Sequence, residues 1–168
     1  MLGSTAVGKQ LYRQCADTVK RLGLELGGNA SFIVFPSADL SKALQGVMAS
    51  KFRNAGQACV ATNRVYVHES VFDKFSAMVT EAVKTQLVVG DGFEPGVNQG
   101  PMINYQAVQK VDDLVQDAVS KGAQLMAGGG SHPIMKGRFY SPTVLGNITE
   151  SMKIYHEEIF GPVIPLYK

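Results

Sequence analysis

The sequence predicts an α/β fold with a largely parallel sheet. Two observations carry this. Segments with helical apolar periodicity alternate along the chain with short apolar or alternating segments of strand type. Glycine is abundant, at 18 of 168 residues, as the tight turns of such folds require. The chain has 45% hydrophobic residues, enough for a sizeable core in one compact domain or in a domain plus part of another.

The elements follow in order. A first helix opens at Gly3-Ser4-Thr5 and carries apolar residues at Val7, Leu11, Cys15, Val19 and Leu22, with Gly23 as its stop. Leu24 to Leu26 runs into the Gly27-Gly28 turn, and Ser31 to Phe35 reads as a buried strand closed by Pro36. Asp39 is suited to cap a second helix, whose inward face is Leu40, Ala43, Leu44, Val47, Met48 and Phe52. A loop from Arg53 to Ala58 delivers Cys59, and Asn63 to His68 alternates like a strand. Ser70, with Asp73 three residues on, marks the start of a third helix. Its inward residues are Val71, Phe72, Phe75, Met78, Val79, Ala82 and Val83. Val88 to Pro101 is a glycine-rich surface connection. A fourth helix turns Ala107, Val108, Val111, Leu114, Val115, Ala118 and Val119 inward and stops at Gly122. Gln124–Ala127, Phe139–Leu145 and Val163–Tyr167 are further strands, with a turn at Gly128-Gly129-Gly130. No strand is expected before the opening turn and none after Tyr167, so both ends read as cut.

Composition narrows the function. Charged residues are 18% and the net charge is +2, against a disordered or polyelectrolyte chain and against a nucleic-acid partner. No apolar run approaches the roughly 18 residues of a membrane span, and Met1 to Thr5 has no signal-peptide character. A disulfide framework is not expected from two cysteines, which fit a reducing compartment. His68, His132 and His156 lie too far apart for a metal-ligand spacing, and no metal is assigned.

Four segments offer chemistry. The turn Gly3-Ser4-Thr5 at a helix start presents backbone N–H groups and hydroxyls suited to a phosphate. Cys59, at the end of Asn54-Ala55-Gly56-Gln57-Ala58, is a candidate nucleophile among small residues that let a substrate approach. A thiol of ordinary acidity is mostly protonated at neutral pH, so this role needs an activating site. Cys15, on the apolar stripe of its helix, reads as structural. Glu25, beside Gly27-Gly28, is a candidate base for water. Glu157-Glu158-Ile159-Phe160-Gly161-Pro162 sets two carboxylates and an aromatic ahead of a rigid turn.

In combination these segments resemble the aldehyde dehydrogenase superfamily. Gly3–Gly8, Glu25–Gly28, Gly56–Cys59 and Glu157–Pro162 occur in that family's order, with Glu25 34 positions (59 − 25) before Cys59. The resemblance implies a three-layer α/β/α fold, truncated at both ends. Residues 1–28 would end an NAD(P)-binding domain, and 29–168 would form most of a catalytic domain. It implies that Cys59 attacks the aldehyde carbon, that NAD or NADP takes the hydride, and that Glu25 activates the water that releases the acid. Gly3 and Ser4 would meet the cofactor pyrophosphate, Glu158 the nicotinamide-side ribose, and Phe160 the ring.

Lys51-Phe52-Arg53-Asn54-Ala55-Gly56-Gln57 is similar to the succinate-semialdehyde dehydrogenases of that family, in which the arginine matching Arg53 grips the substrate's distal carboxylate. That implies succinate semialdehyde as substrate and a place in GABA degradation, in the cytoplasm or mitochondrial matrix rather than outside the cell. Glutarate semialdehyde is the alternative substrate. A full-length parent would be a dimer or tetramer. Three departures stand out. Ala61 replaces the second cysteine of some relatives, so no disulfide switch is expected there, and Ala58 stands where threonine is common. The adenosine-binding strands, the oxyanion asparagine, a second substrate arginine and the oligomerisation strand all fall outside 1–168. The isolated chain is therefore expected to be inactive, a folding or interaction unit.

Overall fold

The computed structural model describes residues 1–135 and 137–168. Its helices are α1 (Thr5–Ala16), α2 (Leu40–Phe52), α3 (Glu69–Gln86), α4 (Tyr105–Ser120) and α5 (Lys153–His156). Its strands are β1 (Ser31–Val34), β2 (Arg64–Val67), β3 (Gln124–Ala127), β4 (Thr143–Gly146) and β5 (Val163–Tyr167). The strands form one sheet in the order β1-β2-β5-β4-β3, and every pair is parallel except β3 with β4.

Side chains alternate across a strand, so each strand feeds two cores. Val144 and Ile164 face a core with Val47 and Phe52 of α2 and Phe75 and Val79 of α3. Their neighbours Leu145 and Val163 face a core with Val111, Leu114 and Val115 of α4 and Ile154 of α5. Helices therefore cover both faces of the sheet, giving the expected three layers.

Several local expectations hold. Asp39 caps α2 by accepting from the N–H groups of Ser41 and Lys42, and Ser4 caps α1 by accepting from Val7. Others need correction. α1 stops at Ala16, not Gly23. Thr18 Oγ1 donates to the Cys15 carbonyl, and Val19 takes a left-handed φ of 49°, which a helix cannot continue through. Its stripe is not buried: Val19 is 89% and Val7 44% exposed, and only Gly8 of the helix is fully covered. A strand-like pairing does precede α1, since Leu2 bridges Glu25 in parallel. The cap of α3 is His68, whose ring accepts from the Ser70 N–H, so the helix begins before Ser70. Val119 of α4 stays partly exposed. Strand β4 begins at Thr143 rather than Phe139, while Tyr140 only bridges Ser131. The 88–101 connection is not all surface, because Gly90 and Gln99 are buried. α5 had no counterpart in the sequence reading. No helix among the described residues is long and apolar enough to cross a membrane.

Candidate active site

Three neighbouring parallel strands share one end. Glu25–Gly28 leads into β1, Cys59 into β2 and Glu157–Pro162 into β5, so the order β1-β2-β5 gathers all three segments at the amino ends of the strands. Open α/β sheets usually bind ligands at the opposite, carboxyl ends.

A cavity of about 540 Å³ lies there. Its walls include Gly3, Ser4, Glu25, Cys59, Glu158 and Phe160, together with Leu2, Leu26, Gly27, Ala107 and Lys110. Six of the seven residues predicted from sequence thus meet in one space. Arg53 does not line it and is exposed on the thiol loop. Among the described residues no cluster of His, Cys, Asp and Glu could hold a metal.

The thiol loop is locally strained and tightly held. Asn54, Ala55 and Gly56 take left-handed φ values of 52°, 56° and 71° in succession. Asn54 and Gln57 clamp each other, each side-chain amide donating to the other's carbonyl at 3.1 Å. Gln57 also accepts from the Ile103 N–H at 2.8 Å, tying the loop to the segment before α4. Gly56 is required by its φ and by its neighbour, because a Cβ there would collide with the Gly161 carbonyl. The loop and the Glu157–Pro162 turn therefore interlock backbone to backbone. Cys59 emerges exposed at the end of this rigid piece.

Asn63 fixes the turn from below. It is buried, donates to the Glu157 carbonyl at 3.1 Å and to Asn29 Oδ1 at 2.6 Å, and accepts from the Ile159 N–H at 2.8 Å. Lys110 Nζ donates to the Glu158 carbonyl at 2.7 Å. Gly27 makes room for the Glu158 carboxylate, since a Cβ there would lie 2.6 Å from Oε2. On the facing wall, Glu25 is pinned to the start of the chain by Glu25 N–H to the Met1 carbonyl (2.9 Å) and Gly3 N–H to the Glu25 carbonyl (3.0 Å).

Sequence reasoning missed Asn63, Lys110 and Lys51. Lys51 is buried at the end of α2. Burial lowers its amine from 10.5 to about 7, and the Glu158 carboxylate works in the opposite direction. No local pattern flags Asn63 or Lys110, whose partners lie 94 and 48 positions away. A lysine among the inward positions of α2 was the one available signal.

A helix amino end, a thiol, two carboxylates and an aromatic in one cavity can hold a phosphate-bearing ligand against a nucleophile. Comparison with known proteins identifies the family. The sequence matches the aldehyde dehydrogenase family over residues 1–168. It is 54% identical over 166 residues to the mitochondrial succinate-semialdehyde dehydrogenase of Arabidopsis thaliana, covering 99% of this chain and 31% of that protein. It is 52% identical to the 3-sulfolactaldehyde dehydrogenase of Pseudomonas putida, covering 99% of this chain and 34% of that one. A solved structure of an E. coli NADP-dependent enzyme superposes with a TM-score of 0.96 at 48% identity, over 99% of this chain and 34% of its own. The chain spans about a third of the length of the curated relatives it matches. From its full-length sequence match and its fold, the chain belongs to the aldehyde dehydrogenase family.

Proposed function

We propose that this chain carries the thiol and the cofactor-facing wall of an NAD(P)-dependent oxidation of succinate semialdehyde to succinate. The observation that supports this most is the shared cavity of Cys59, Glu25 and Glu158. The residues also fit the cofactor. The first-turn N–H groups of α1, beside Gly3 and Ser4, have no partner within the helix and suit a pyrophosphate. Glu158 suits a ribose diol, and Phe160 offers an apolar face. A bound NAD or NADP would supply the hydride acceptor.

The Cys59 thiol first gives its proton to solvent, and the resulting thiolate forms a bond to the carbonyl carbon as the carbonyl π pair moves onto oxygen. The Cys59 N–H, which has no backbone partner among the described residues, would donate to that oxyanion. Loss of hydride from the same carbon re-forms the C=O and leaves a thioester on Cys59. Glu25 then takes a proton from water as the water oxygen attacks the thioester carbon. The C–S bond breaks, the electron pair returns to sulfur, and the acid leaves.

Residues 1–28 act as the end of the cofactor domain and 29–168 as the thiol-bearing domain. In a complete enzyme, which we take to be a homo-oligomer of the cytoplasm or mitochondrial matrix, Arg53, exposed on the thiol loop, holds the distal anion. The names of both relatives point to small aldehydes with such an anion. The test exchanges this chain into a full-length relative. A bidentate arginine–carboxylate pair is worth roughly 1.5–3 kcal/mol, so Arg53→Ala raises KM for succinate semialdehyde about 10- to 100-fold and for a neutral aldehyde hardly at all. Equal losses on both contradict the anion clamp. Glutarate semialdehyde and a sulfonate-bearing aldehyde, run in parallel, rank the substrates.

A further inference from the structure

Successive left-handed residues persist only where their surroundings over-determine them. For Asn54, Ala55 and Gly56 one such restraint is Gln57, and Gln57 is itself held from outside the loop. Its Nε2 donates to the Asn54 carbonyl at 3.1 Å and to the Pro101 carbonyl at 3.4 Å. Its Oε1 accepts from the Ile103 N–H at 2.8 Å. The restraint is therefore only as firm as residues 101–104.

That segment has little of its own to hold it. Met102 is buried, but Pro101, Ile103 and Asn104 are exposed, Ile103 by 67%. What reaches it is Arg138, from the approach to β4. The Arg138 carbonyl accepts from the Met102 N–H at 2.8 Å, and the guanidinium Nη1 donates to the Ile103 carbonyl. Ile103 is thus held at both ends, by Gln57 at its N–H and by Arg138 at its carbonyl. The only ion pair among the described residues joins Lys121 and Asp117, so the guanidinium serves a backbone acceptor, to which a charged donor bonds more strongly than a neutral one. Asn54, Gln57, Ile103 and Arg138 line a second cavity of about 420 Å³, whose wall shares Phe160 with the first.

We propose that Arg138 is a positioning residue for Cys59: through Ile103 and Gln57 it braces the strained loop that presents the thiol, from outside the cavity that the thiol lines. The catalytic meaning of this rests on reading Cys59 as the nucleophile, but the brace itself does not.

The test uses a full-length relative carrying this chain. Arg138→Met keeps an apolar stem and removes the donor, and the exposed position leaves the core untouched. Hydrogen exchange in peptides spanning 53–59 and 101–104 is expected to quicken about tenfold, the size of one charge-assisted hydrogen bond, while α3 is unchanged. The kcat for the aldehyde falls about tenfold and its KM moves by less than about twofold, because a displaced nucleophile spoils the reacting geometry rather than the binding. Arg138→Lys, which can still donate to the Ile103 carbonyl, restores both. In a Gln57→Leu background Arg138→Met has no further effect, because the link is already cut. Unchanged exchange over 53–59, a rise in KM that accounts for the loss, a lysine variant as poor as methionine, or losses that add to those of Gln57→Leu would each overturn the proposal. The exchange measurement needs no turnover. If it gives the expected result while Cys59→Ser still oxidises aldehyde, the brace stands and the reading of Cys59 falls; if Cys59→Ser is inactive and exchange is unmoved, the brace alone falls.

Discussion

On one side of the cavity, the thiol loop and the Glu157–Pro162 turn lock together through Gly56 and Gly161, with Asn63 bonded to both flanks of Glu158. On the other side, Met1 and Gly3 meet Glu25 through two backbone hydrogen bonds, and Gly8 of α1 lies against Leu26. The first wall grows out of two cores and carries Cys59, Glu158 and Phe160. The second buries little and carries the first N–H groups of α1 and the Glu25 carboxylate. The first wall is built into the two cores of the sheet, and the second is attached to it.

Gly56→Ala strikes the first wall hardest. It forces a side chain into a left-handed φ of 71° and into the Gly161 carbonyl. The expected cost is about 4–5 kcal/mol, at the far end of single-substitution effects, and is read as a collapse of the denaturation midpoint. Gly23→Ala, with no heavy atom within 4 Å of the added carbon, is the control and should be close to neutral. Similar losses at both positions would break the comparison.

Lys51→Met acts in the opposite direction on the same wall. Between about 7 and the ordinary 10.5, the unfolded chain holds a proton on this amine that the folded chain lacks. This group's contribution to stability therefore rises with pH across that window and is lowest below it. Removing the amine should stabilise the protein at neutral pH by on the order of 3 kcal/mol and flatten that slope. A destabilised methionine variant with the slope unchanged would contradict the buried-amine description.

The smallest effects belong to the second wall. Val7→Ser and Val19→Ser on the exposed side should each change stability by less than about 0.5 kcal/mol, and amides of α1 should exchange far faster than those of α3. Protection of α1 equal to α3 would show that the two walls are one cooperative unit.

The same contrast explains what the sequence could reveal. The strand and helix periods of residues 31–127 are enforced by burial on one or two sheet faces, so their patterns are local and readable. The stripe of Val7, Leu11 and Cys15 obeys the same period, but periodicity does not say what an apolar face meets, and burial was wrongly expected. Cys59, Glu25, Glu158 and Phe160, which line one cavity, were legible because they stand in short glycine-containing blocks whose order along the chain, rather than any one block, is distinctive. Asn63, Lys110 and Lys51 act through partners distant in the chain and leave no such signature. His68 was missed as a cap because a histidine ring rarely takes a role that serine commonly fills.

The central claim is that Cys59 becomes covalently attached to the substrate carbon while Glu25 serves only the hydrolytic half. In a full-length relative carrying this chain, Glu25→Gln should form product slowly after a rapid hydride-transfer burst. Mass analysis of the quenched protein should then find an acyl group on the Cys59 peptide. An acyl group on another residue, or a burst that persists in Cys59→Ser, would contradict the account.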